Sequence, residues 1–74
     1  MGMNVMAAKD CLKNARVTLG LSQPEFAKLI GTTTTSVCLW ETGQNIPQFK
    51  SIRKIVDVLK KEGIQIEYTD LRDE

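Results

Sequence analysis

The 74-residue chain contains no histidine, two cysteines, two prolines and few aromatics: Phe26, Trp40, Phe49 and Tyr68. Each shortage excludes something. Without histidine there is no catalytic triad or imidazole acid–base pair, and no histidine-containing zinc site. Cys11 and Cys38 are too few for a four-thiolate one. No metal, cofactor or enzymatic activity is therefore expected. In a reducing compartment no disulfide is expected either, and both thiols are taken as small structural hydrophobes. So few aromatics favour an aliphatic helical core over a β-sandwich. No apolar run approaches the ~20 residues of a membrane span. The opening MGMNVMAAKD lacks the basic segment and long apolar stretch of a secretion signal, so a cytoplasmic location with no membrane partner is expected. A formal net charge of +1 provides no bulk attraction for a polyanion. Nucleic-acid binding, if present, must come from how residues are arranged.

What is present is the composition of a folded domain, 42% apolar and 26% charged, at a length that allows one domain over 1–74. In the segment 6–19, apolar residues at 8, 12, 15 and 19 have helical spacing, and Gly20 supplies a stop. Ser22-Gln23-Pro24-Glu25 is a capping box, with Pro24 tolerated in the first turn. It opens a helix through Phe26, Ala27, Leu29 and Ile30, which Gly31 ends. A second short helix is predicted from about 33 to 41, with Val37 and Trp40 buried and Gly43 closing it.

Gln44 to Pro47 form a turn, with Pro47 suited to a first helical turn. A fourth helix, about 48–61, has Phe49, Ile52, Ile55, Val56 and Leu59 as its apolar stripe. The tail 63–74 then changes rhythm. Ile64, Ile66 and Tyr68 alternate with polar residues, the pattern of a half-buried strand, with a fifth short helix as the competing reading. As a lone strand leaves backbone groups unmet, its partner would be a second copy, so Ile64, Ile66 and Tyr68 become candidate dimerisation residues. Leu71 to Glu74 are expected to fray. The predicted fold is an all-α compact bundle of four to five short helices, with a helix-turn-helix at 23–41 inside a core of 9–62.

The chain resembles the helix-turn-helix family of phage Cro proteins and lambda-type repressors, the xenobiotic-response-element family. Arg16, Leu19-Gly20-Leu21-Ser22-Gln23, Phe26-Ala27, Ile30-Gly31, Val37, Trp40-Glu41-x-Gly43 and Pro47 carry the likeness. Thr32, Trp40 and Thr42 depart from the residues usual at their positions. The resemblance implies that the second motif helix enters the DNA major groove. That gives the threonine run a purpose. Thr33 is a good N-cap, while Thr34, Thr35, Cys38 and Leu39 share one face opposite Val37 and Trp40. Threonine offers a hydroxyl and a methyl to base edges, and Leu39 an apolar contact for thymine.

The resemblance further implies phosphate contacts from Gln23, Thr33 and the turn after the second helix, where Gln44, Asn45, Gln48 and Lys50 lie within reach together with backbone N–H groups. It also implies a structural ion pair between Arg16 and Glu41. The expected function is a transcriptional regulator, a repressor of phage or plasmid type. It would bind double-stranded DNA as a homodimer on a partly palindromic operator. Two alternatives stand beside it. One is the antitoxin of a toxin–antitoxin pair, with the toxin on 64–74. The other is a helical protein-interaction module without DNA binding, which the lysine-free face at 34, 35, 38 and 39 keeps open.

Overall fold

The computed structural model describes residues 8–71, which form four α-helices and a closing 3-10 turn: α1 Ala8–Leu19, α2 Gln23–Ile30, α3 Thr34–Thr42, α4 Phe49–Lys61 and the turn Tyr68–Leu71. Local chemistry sets most of these limits. The expected start of α1 at Met6, and the chain from 72 to 74, lie outside the described residues. At α2 the capping box is reciprocal: the Glu25 N–H donates to Ser22 Oγ at 3.2 Å, and the Ser22 N–H to Glu25 Oε1 at 2.8 Å. Those bonds satisfy first-turn donors that have no acceptor within the helix. The helix stops where Gly31 turns left-handed at φ +76°, a conformation that costs a residue bearing Cβ. Thr33 caps α3 by accepting from the Ser36 N–H at 3.1 Å, so α3 starts one residue later than its cap.

Phe26, Ala27 and Ile30 of α2 and Val37 and Trp40 of α3 are buried together with Leu12 and Ala15 of α1. Ile52, Ile55 and Leu59 complete this core from α4. α1 and α2 both pack on α3, while the 3-10 turn packs on α1 and α4. Three expectations are corrected. Phe49 is 58% exposed and is not part of the core stripe. At 100° per residue it lies about a quarter-turn from the centre of the Ile52–Ile55–Leu59 face. Its ring instead meets Tyr68 edge-on, with centroids 5.3 Å apart, and lies beneath Arg53. Pro47 precedes the α4 cap, Gln48, and is itself buried.

The third correction concerns the tail. Among the described residues there is no strand. Residues 64–67 are an irregular connector that buries Ile66, with Ile64 and Tyr68 half-buried, and the following turn buries Leu71 completely. Leu71 is therefore core, not a frayed end. Two internal bonds hold the ends of this connector. The Ile64 N–H reaches the Leu59 carbonyl at 2.8 Å, and the Glu67 N–H reaches Asp70 Oδ2 at 2.9 Å. The alternation came from a connector that turns Ile66 into the core, with Ile64 and Tyr68 packed against it.

Candidate nucleic-acid interface

The α2–α3 corner is fixed from inside and from its turn. Apolar packing joins the two helices, and the Thr32 N–H closes on the Ala27 carbonyl at 2.8 Å. With Val37 1% and Trp40 8% exposed, the opposite face of α3 must point outward. Thr34, Thr35 and Cys38 are exposed and Leu39 is half-buried beside them. α3 has no charged group in its first turn, so this face offers hydroxyls, a thiol and methyl groups. Such a surface suits hydrogen bonding and apolar contact more than charge neutralisation.

A polar brace holds the far end of α3. Arg16 Nε donates to Glu41 Oε2 at 2.8 Å and Nη2 to Oε1 at 3.1 Å, while Nη1 reaches the Leu21 carbonyl at 3.0 Å. The two side chains are 15% and 4% exposed. This fork geometry is the one a guanidinium favours. Hydrogen bonding to Glu41 raises the Arg16 pKa above its ordinary value against the opposing effect of desolvation, with a smaller rise from the Glu41 charge. One pair thus ties α1 to α3. Gln23, expected on phosphate, also joins it: its Nε2 donates to Glu41 Oε1 at 3.1 Å. A carboxylate shared by residues 25 and 18 positions before it leaves no mark in local sequence periodicity.

The turn after α3 presents Gln44, Asn45, Gln48 and Lys50 as exposed side chains. Its backbone is less available than expected. The Gln44 and Asn45 N–H groups both converge on the Leu39 carbonyl, at 3.0 and 3.3 Å, and Pro47 has no N–H. Thr33 is exposed, but its Oγ1 accepts from Ser36 N and donates to Ser36 Oγ at 3.1 Å. Lys54, not singled out from sequence, lies against the α2–α3 turn. A Cβ added to Gly31 would sit 2.6 Å from its Nζ. Its spacing of four from Lys50 on α4 is the only signal that could have drawn attention to it. No group of three or more potential metal ligands occurs among the described residues.

A family model described as helix-turn-helix matches residues 12–65, from within α1 to the connector after α4. The chain belongs to the helix-turn-helix family. That family of Cro-like and xenobiotic-response-element regulators is DNA-binding and non-enzymatic. Its match spans both motif helices and the two helices that support them. No curated protein and no solved structure matches the chain. No helix among the described residues is long and apolar enough to cross a membrane.

Proposed function

We propose that this helix-turn-helix protein is a sequence-specific transcriptional repressor that binds a partly palindromic operator as a homodimer. α3 lies in the major groove, with Thr34, Thr35, Cys38 and Leu39 on base edges. Gln23, Thr33, Gln44, Asn45, Gln48 and Lys50 contact the flanking phosphates. The observation that carries this reading is the outward quartet on α3, backed by buried Val37 and Trp40. The Arg16–Glu41–Gln23 brace supports it by fixing how α3 stands relative to α1 and α2, because base contacts require a firmly set helix. Two such helices, one per protomer, would occupy successive major grooves ~34 Å apart. Bound there, the dimer would block access to a promoter.

Selecting preferred duplexes from a random pool tests the proposal directly. The expected winner has two-fold symmetric half-sites spaced by one helical turn. An unsymmetric winner would remove the homodimer, and a pool that never enriches would remove sequence-specific binding.

A further inference from the structure

A cavity of about 190 Å³ lies between the α2–α3 turn and the start of α4, where Thr32, Trp40, Lys50, Ser51 and Lys54 border it beside Gly31. It has room for about six waters at ~30 Å³ each, enough for a tetrahedral oxyanion with some hydration. Its side-chain lining is rich in groups that can donate, beside the C-terminal end of α2 at Ile30 and Gly31. Lys50 and Lys54 bring two ammonium groups, Thr32 and Ser51 bring hydroxyls, and no carboxylate borders it. Trp40 is the one aromatic residue that borders it. The residue is 8% exposed. An indole nitrogen can only donate.

We propose that this cavity is a phosphate site. Lys50 and Lys54 supply the charge, and Thr32, Ser51 and the Trp40 indole supply directed hydrogen bonds. Lysine recognises phosphate as a point charge, so the neutral donors set the orientation. The bound group is either a phosphodiester of the operator backbone or a free phosphate. The backbone source rests on the DNA-binding reading above, whereas the free ion would stand without it.

Trp40 is the only tryptophan, so its fluorescence reports directly on occupancy. The full-length protein in chloride buffer is titrated with inorganic phosphate, and separately with a random-sequence duplex. Both titrations are repeated on Lys54→Gln and on Lys50→Gln/Lys54→Gln. For a backbone phosphodiester, the duplex changes the emission saturably. The double variant then lowers the slope of log affinity against log salt by about 0.9 for each lysine that contacts a phosphate. For a free ion, inorganic phosphate changes the emission in the wild type and not in Lys54→Gln, and the duplex does not compete.

Unchanged emission with both ligands would overturn the site. So would variants that match the wild type in emission and salt slope, because Lys54 would then merely complement the α2 dipole. A protein that binds phosphate but no duplex removes the DNA reading and keeps the site. Sequence-dependent duplex binding with an unaltered slope does the reverse.

Discussion

Glu41 accepts side-chain hydrogen bonds from Arg16 and Gln23 while its carboxylate is almost wholly out of water. A charge so placed depends on its partners more than they depend on it. Arg16→Met should strand the carboxylate and destabilise the fold by about 3–5 kcal/mol in urea unfolding. Replacing Arg16 and Glu41 together with apolar residues should cost less than that single change, since the buried charge goes too. A single variant as stable as the wild type would show that the pair is solvated in solution. The quartet on α3 should behave in the opposite way. Thr34 and Thr35 are exposed and outside the core, so Thr34→Ala and Thr35→Ala should barely alter stability. On the selected operator each should lose about 1–3 kcal/mol of binding if it makes a good base contact. Equal losses on random duplex would place those hydroxyls on the backbone and away from the bases.

At the level of the element, α2 is held by its ends. Its capping box makes it sensitive to acid, and the sign follows from Glu25. Hydrogen bonds from Ser22, chiefly its backbone N–H, lower the Glu25 pKa in the folded state. A carboxylate shifted downward contributes stability above its unfolded pKa and loses it as pH falls through the folded one. The contribution should therefore be level near neutrality and fade below the ordinary carboxylate range. Glu25→Gln keeps the reciprocal bonds and should flatten that part of the acid limb in a pH series of unfolding curves. Gly31→Ala should cost about 1–2 kcal/mol for a left-handed backbone and push the Lys54 amine off the turn. The same end signals explain why α2 and α3 were legible in the sequence. Ser22, Glu25, Gly31, Thr33 and Gly43 act within a turn or two of their own positions, and local pattern records that. Phe49 and the tail were less legible because periodicity does not report which neighbour a face meets. Alternation at Ile64, Ile66 and Tyr68 fits a strand or a connector laid on a core, and only the burial of Ile66 and Leu71 in the core decides. The outward face of α3 was legible from Val37 and Trp40, while the link from Gln23 to Glu41 and the placement of Lys54 depend on tertiary approach.

For the whole molecule the tail changes what a dimer experiment can mean. Ile66 and Leu71 belong to the core of one chain, so removing 64–74 would unsettle the monomer before it informs on association. Leu71→Ala should by itself cost about 2–5 kcal/mol. The dimer is better examined with substitutions at exposed apolar positions such as Val17, Ile46 and Phe49, followed by sedimentation of protein that remains folded. Charge then bounds how the assembly holds DNA. The chain carries a formal +1, and of the phosphate contacts proposed here only Lys50 and Lys54 are cationic. Two protomers would neutralise about four phosphates, so the log–log salt slope should be no steeper than about −4. Affinity would then depend chiefly on neutral hydrogen bonds and on joining two half-sites. A slope near −8 from binding isotherms between 50 and 200 mM salt would require cations outside this face. Lys9, whose side chain lies against Gly43 at the end of α3, would then be the first candidate.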